Sequence, residues 1–158
     1  MNDVSSFLAE WTVSYLKNKD ILAKRIESIE KDKNGFNIIV NYSDRINFFV
    51  IMPIINDITG LIKKMNDKEA HYSLVTLNNR LNLDFLVKNW NALSEFRNLC
   101  IYFVNPFSQL DKKWLVFPYT HSRVCDESLL ASGLKAIFDT VEPITEEDAK
   151  ARLKQGRH

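Results

Sequence analysis

Glycine is scarce in this 158-residue chain, and its scarcity excludes the common phosphate-binding loops. The four glycines, Gly35, Gly60, Gly133 and Gly156, stand far apart. A dinucleotide-binding turn or a nucleoside-triphosphate loop needs several glycines close together, because backbone amides must approach the phosphates. The G-x-S-x-G turn of serine hydrolases is also absent. These frequent catalytic and cofactor-binding signatures are therefore excluded.

Cysteine and histidine are too few and too scattered for a zinc site. The chain has Cys100 and Cys125 with His71, His121 and His158, and no C-x-x-C or H-x-x-x-H pair among them. Structural zinc sites use four such ligands in closely spaced pairs. Cys100 stands in an apolar run and is expected to be a buried small hydrophobe. We therefore expect no metal and no cofactor and, with no secretory leader, a reducing cytoplasmic setting.

Long apolar runs and an excess of one charge are missing too. The longest apolar stretch, residues 46–62, is broken by Pro53 and Asp57 and is shorter than the roughly 20 apolar residues of a membrane span. With 21 basic and 20 acidic residues, the net charge is +1, so no general attraction to nucleic acid or to membranes is expected. The chain therefore offers no membrane partner.

Clustered carboxylates, which a hard metal ion or general acid–base chemistry would use, are not predicted either. The acidic residues fall in turns or on polar helix faces, and none lies inside a predicted strand beyond the ambiguous first one. The residues considered are Asp44, Asp57, Asp67, Glu69, Asp84, Glu95 and Asp111. We expect all of them to be solvent-exposed surface residues.

What is present is an alternation of helical and strand patterns typical of an α+β (mixed α/β) fold. We predict one domain over residues 1–158 with a single sheet of five to six strands. The order is helix, three-strand meander, helix, strand, helix, strand, strand, helix. Predicted helices cover 6–17, 54–65, 83–93 and 127–140, and predicted strands 36–42, 46–52, 72–78, 99–104 and 114–119. Residues 144–158 are expected to form a surface or frayed helix.

Residues 21–31 are ambiguous between a helix and the first strand of the meander. Leu22, Ile26 and Ile29 suit one helix face. The following turn, residues 32–35, contains Asn34-Gly35, which supplies the positive φ angles of a tight hairpin and favours a strand.

The most reactive side chains follow the predicted strand 114–119, in the polar string 120–126. A Cys–His nucleophile requires a hydrogen-bonded pair and an orienting third group. His121 and Cys125 are so close in sequence that a loop leading into a helix, with Asp126 as its cap, is the better interpretation. We predict a polar patch at one end of the sheet, beside the loop 105–107. Its members are Lys112, Lys113, Tyr119, His121, Arg123 and Asp126.

The element order over residues 6–104 resembles the core of restriction-endonuclease-like, or PD-(D/E)XK, nucleases. Such nucleases hold Mg²⁺ with an aspartate near one strand end and an acid-x-lysine motif on the next strand. Asp44 matches the first position, but residues 47–51 offer neither acid nor lysine. In the alternative frame, Thr76-Leu77-Asn78 occupies the motif. The resemblance therefore implies a nuclease-like fold without a complete active site, and no catalytic residue is carried over.

Two functions fit these observations. In the first, a non-catalytic domain docks a protein partner or assembles with itself, and the segments 105–113 and 120–126 form the polar rim. In the second, a nuclease-fold relative handles nucleic acid, and Lys112, Lys113, His121 and Arg123 contact phosphates. The sequence favours the first, because the charge is balanced and the carboxylate set is incomplete. An enzyme whose site is built from distant residues stays open, although the sequence leans against one.

Overall fold

A computed structural model describes residues 3–156 and confirms the α+β class and the predicted element order. Within these residues there are six strands in one mixed sheet and seven helices. The strands are β1 (Ile26–Lys33), β2 (Phe36–Tyr42), β3 (Ile46–Ile51), β4 (His71–Leu77), β5 (Leu99–Val104) and β6 (Lys113–Val116). The helices are α1 (Asp3–Lys19), α2 (Thr59–Lys64), α3 (Arg80–Lys88), α4 (Trp90–Leu93), α5 (Pro118–Val124), α6 (Leu130–Phe138) and α7 (Glu146–Gln155).

The strands lie in the sheet in the order in which they occur in the chain. β1, β2 and β3 form an antiparallel meander, β3, β4 and β5 are parallel, and β6 returns antiparallel to β5. Helices connect the parallel strands because a parallel connection must cross over one face of the sheet. We call the edge where β3, β4 and β5 begin the amino edge, and the opposite one the carboxyl edge.

The ambiguous segment after α1 becomes a turn followed by a strand. Asn34 and Gly35 have φ angles of 56° and 81°, and they join β1 to β2 as a two-residue loop with Lys33 paired to Phe36. Such a turn matches the twist of the flanking strands. The Asp20 carboxylate accepts hydrogen bonds from the backbone N–H groups of Arg25 and Ile26, which fixes where β1 starts.

Helices cover both faces of the sheet. On one face, α1 packs on β2 and β3, with Leu8, Phe49 and Val75 completely buried in the same apolar cluster. On the other, Leu86 and Leu134 of α3 and α6 join a second cluster with the opposite sides of the strands. These two clusters bury the sheet and leave its edges as the places where polar side chains gather.

The last helix packs against the first. α7 contacts α1, and Ala149 is buried in the apolar cluster that α1 forms with the sheet. The predicted segment 144–158 extends to residues 157 and 158, which lie outside the described residues. In the described part of the chain, no helix is long and apolar enough to cross a lipid bilayer.

The clearest difference from the sequence-based expectation follows Val116. The predicted strand 114–119 is shorter, because Pro118 cannot donate a hydrogen bond to a strand ladder but suits the first turn of a helix. α5 therefore begins at Pro118 and contains Tyr119, so the polar string expected to be a loop is mostly helical. Asp126 does act as a cap: its carboxylate accepts from the N–H of Ser128, 3.1 Å away.

Three predicted helices are also divided or shorter than expected. The one over 127–140 consists of a 3-10 turn, Glu127–Leu129, followed by α6. The stripe over residues 83–93 divides into α3 and α4 at Asn89, and the helix expected over 54–65 is formed only by Thr59–Lys64. Pro53 and Ile55 before α2 instead take part in buried hydrogen bonds with Asn82. Tertiary contacts thus override the apolar periodicity there.

Candidate functional site

The predicted polar patch takes its residues from both ends of β6. Lys113 pairs with Val104 at the carboxyl edge, whereas Val116 pairs with Ile101 towards the amino edge, where α5 follows. A strand advances about 3.3 Å per residue, so β6 holds its two ends on the order of 10 Å apart. The backbone of Lys112 and Lys113 therefore lies at the opposite end of β6 from the α5 residues. The single patch stays a prediction.

Several patch members make local contacts that keep the fold together. The Lys113 Nζ lies 5.1 Å from the centre of the Tyr15 ring. The His121 ring stands edge-on to Trp90 with centroids 5.5 Å apart, and its Nε2 is buried without a hydrogen-bond partner in residues 3–156. The backbone N–H of Cys125 donates a hydrogen bond to the carbonyl oxygen of His121 at 3.0 Å. In the described chain, the Cys125 thiol and the His121 imidazole form no hydrogen bond with each other. This geometry does not form a Cys–His nucleophile.

The carboxyl edge, where open α/β sheets usually bind ligands, is closed by asparagine side chains. Asn82 Nδ2 donates to the carbonyl oxygens of Leu77 (2.8 Å) and Pro53 (2.9 Å), and its Oδ1 accepts from the N–H of Ile55 (2.9 Å). Asn79 Oδ1 accepts from the N–H of Asn82 and caps α3. The donors at the start of this helix are therefore partly used by the protein itself.

Two further asparagines close the same edge. Asn78 Nδ2 donates to the Val141 carbonyl at 2.9 Å, and its Oδ1 accepts from Trp114 Nε1 at 2.7 Å. Asn105 Nδ2 donates to the carbonyl of Glu142 at 3.0 Å. An amide can donate and accept at once, so each side chain connects a strand end to a loop. The carboxyl edge is a structural junction.

The amino edge is different, because basic side chains from separate elements surround an open depression of about 300 Å³. We call it the basic cleft. Its lining residues are Lys19, Arg45, Asn47, His71, Tyr72, Ser73, Arg97, Asn98, Cys100, Tyr102, Leu115 and Phe117. No aspartate or glutamate is among these lining residues. Three permanent cations thus face a depression without a carboxylate in its wall.

The floor of the basic cleft is polar but chemically inert. Ser73 Oγ donates to Asn47 Oδ1 at 3.2 Å. Burial raises the pKa of the Cys100 thiol to about 12, although Lys19 opposes the shift, and burial also raises the pKa of Tyr102. Both groups stay protonated near neutral pH, and a thiol must ionise to be an effective nucleophile. The floor can therefore bind a ligand but does not supply an activated nucleophile.

The basic side chains of the cleft differ in whether a carboxylate of the chain lies beside them. Arg45 lies 4.4 Å from the Tyr42 ring centre and 3.5 Å from the Asp44 carboxylate. Arg97 lies 5.1 Å from the centre of the Tyr119 ring. Within residues 3–156, neither Arg97 nor Lys19 forms an ion pair. These two charges are the ones left available for an anion.

A larger depression adjoins the basic cleft and shares Arg97 and Asn98 with it. Its volume is about 730 Å³, but its wall holds three carboxylates, Asp67, Glu69 and Glu95, against the two cations Lys68 and Arg97. In the described part of the chain, no group of three or more His, Cys, Asp or Glu side chains is placed to hold a metal ion. The larger depression is therefore less suited to an anion than the basic cleft.

Sequence reasoning missed the basic cleft, although a signal for it exists. Arg45 directly precedes β3, His71 begins β4, and Arg97 stands two residues before β5. Parallel strands begin at the same edge of a sheet, so basic residues just before successive parallel strands must gather there. The spacing of these residues along the chain concealed this convergence.

Comparison of the chain with family models, with curated proteins and with solved structures gives no match. The functional argument therefore rests on the geometry of the two edges.

Proposed function

We propose that this chain is a non-catalytic nucleic-acid-binding domain whose basic cleft holds a backbone phosphate. One observation carries the proposal: Lys19 at the end of α1, Arg45 before β3 and Arg97 before β5 line one depression that has no carboxylate in its wall. The phosphates of nucleic acids supply most of their attraction to proteins, and lysine and arginine are their usual partners.

The arrangement of the arginines supports phosphate as the anion. A guanidinium that lies over an aromatic ring keeps its N–H donors in its own plane, where they can bind two phosphate oxygens together. Arg45 and Arg97 both lie over tyrosine rings. The near-neutral total charge does not oppose this, because binding depends on the local distribution of charge.

We also propose a nuclease-like fold and a cytoplasmic location for this chain. The described carboxylates supply no metal-binding group, so the proposed role is binding without strand cleavage. Cys100 and Cys125 are both free thiols, which agrees with a reducing compartment.

A protein partner or self-assembly is the second candidate, and exposed apolar side chains favour it. Phe117, Val124 and Leu129 are 50%, 82% and 59% exposed in and around α5. The segments 105–113 and 120–126, which were expected to form one polar rim, start from opposite ends of β6. Light scattering after size-exclusion chromatography tests self-assembly: a dimer weakened by Val124→Ser supports it, and a monomer at every concentration rules it out.

The proposed function is tested by titrating labelled single-stranded and duplex oligonucleotides at low and physiological salt. We expect binding that weakens steeply with salt, because cations condensed on the strand are released. Arg97→Gln and Lys19→Gln should each weaken binding about tenfold, the usual effect of losing a charged hydrogen bond. Lys112→Gln, at the carboxyl edge, is the matched control. Absence of binding at low salt, or an equal effect of Lys112→Gln, would contradict the proposal.

A further inference from the structure

Two arginines, one in the basic cleft and one on α5, contact the same tyrosine ring. Tyr119 lies in the first turn of α5, and Arg123, one helical turn further on, has its guanidinium 4.3 Å from the Tyr119 ring centre. Arg97 approaches the same ring from the segment before β5, at 5.1 Å. Arg97 also lines the basic cleft, whereas Arg123 lies outside its lining. The two arginines therefore connect the cleft to the outer surface of the helix.

The charge on Arg123 is not neutralised in the folded chain. Within residues 3–156, Arg123 has no ion pair, and an exposed cation–π contact is worth only about 0.5–1 kcal/mol. Such a contact holds the guanidinium in place without using its N–H donors. Arg123 is thus a cation beyond the cleft whose charge is available to an anion.

An exposed aromatic ring, that of Phe117, lines the basic cleft and directly precedes α5. Phe117 stands two residues before Tyr119. It is 50% exposed, although a phenylalanine ring has no polar group to bind water. Exposed aromatic rings in basic grooves are the surfaces on which unpaired bases stack. In a duplex the bases are already stacked on one another and are not free to cover such a ring.

We propose that the ligand is single-stranded nucleic acid, with one phosphate in the basic cleft, a base stacked on Phe117 and a further phosphate on Arg123. The inference rests on the proposed function and narrows its ligand class. A flexible single strand can bend from the cleft onto α5, whereas a duplex is stiff over this distance. The proposal assigns different physical contributions to Phe117 and Arg123.

The experiment compares a labelled oligothymidine with a duplex of the same length, on the full chain and on two variants. We expect the single strand to bind at least tenfold more tightly than the duplex. Phe117→Leu should weaken single-strand binding about tenfold and leave its salt dependence unchanged, because stacking releases no counterions. Arg123→Gln should weaken it and lower the slope of log K against log salt by about 0.7.

Controls separate a failure of this inference from a failure of the proposed function. Val124→Ala removes another exposed apolar side chain of α5 and should leave binding unchanged. Equal affinity for strand and duplex, with no effect of Phe117→Leu, would overturn the single-strand inference and leave the proposed function intact. Absence of binding by both oligonucleotides would overturn both. Because Phe117 and Arg123 are exposed, circular dichroism of each variant should match the parent chain.

Discussion

The two edges of the sheet differ in the type, the burial and the partners of their polar side chains. At the carboxyl edge, Asn78, Asn82 and Asn105 are buried, and their amides hold loop and strand backbone together. At the amino edge, Lys19 and Arg97 are exposed and have no ion-pair partner in residues 3–156. Short neutral amides can satisfy several backbone groups at once, whereas long cations are costly to bury and remain available to a ligand.

The comparison teaches that strand direction alone does not locate a binding site. Open parallel sheets usually bind ligands at their carboxyl ends, partly because helix amino termini point there. Here Asn79 caps α3, and the loops that would form a crevice are held by asparagine side chains. The proposed ligand surface is at the opposite edge, where Lys19, Arg45 and Arg97 line the basic cleft.

The largest expected effect is a loss of stability when an asparagine of the carboxyl edge is replaced. Asn82→Ala leaves the buried N–H of Ile55 without its partner and removes one donor from each of the Leu77 and Pro53 carbonyl oxygens, which keep other backbone donors. We therefore expect about 2 kcal/mol of lost stability. Urea unfolding measures it. Asn91→Ala, at an exposed helical position, is the matched control and should change stability by less than about 0.5 kcal/mol. A similar small change for Asn82→Ala would show that the amides do not hold this edge.

A second prediction concerns pH and the floor of the basic cleft. Burial raises the pKa of the Cys100 thiol in the folded chain. The contribution of this group to the free energy of unfolding is therefore complete below the unfolded pKa near 9, and it is lost as pH rises towards about 12. Stability should therefore decline above pH 9, by up to about 1.4 kcal/mol per pH unit for this one group. Cys100→Ala should show a shallower decline in urea titrations at alkaline pH.

A thiol count provides the control for that experiment. With an aromatic disulfide reagent at mild pH, the folded chain should release one equivalent promptly, from the partly exposed Cys125, and a second only on unfolding. Rapid reaction of both thiols, or an unchanged alkaline slope in Cys100→Ala, would show that the cleft floor is open to solvent.

The smallest expected effect is that of replacing a cation at the carboxyl edge, which tests whether charges there contribute to oligonucleotide binding. Lys113→Gln removes a cation at the carboxyl edge and its contact with the Tyr15 ring, which costs at most about 1 kcal/mol of stability. Oligonucleotide affinity should stay within about twofold of the parent, because no backbone phosphate is expected there. A loss of affinity as large as that of Arg97→Gln would mean that the ligand surface spans both edges.

The sequence allowed the fold to be predicted where the determinants were local. Asn34-Gly35 specified its hairpin, and the alternation of patterns specified the element order. The course after Val116 was mistaken because the apolar run continued through Phe117, and the helix-starting role of Pro118 was overlooked. Arg123 was predicted from sequence as a phosphate contact, and this stays a prediction. The convergence of Lys19, Arg45 and Arg97 was missed, because these residues meet only in the folded chain.

Because spatial order follows chain order, each strand can join its predecessor as soon as it is made. Closing short loops costs little chain entropy, so we expect assembly to proceed in sequence along most of the molecule. The packing of α7 on α1 joins the two most distant elements of the described chain. That contact should form last and open first, so its loss is the expected first step of local unfolding.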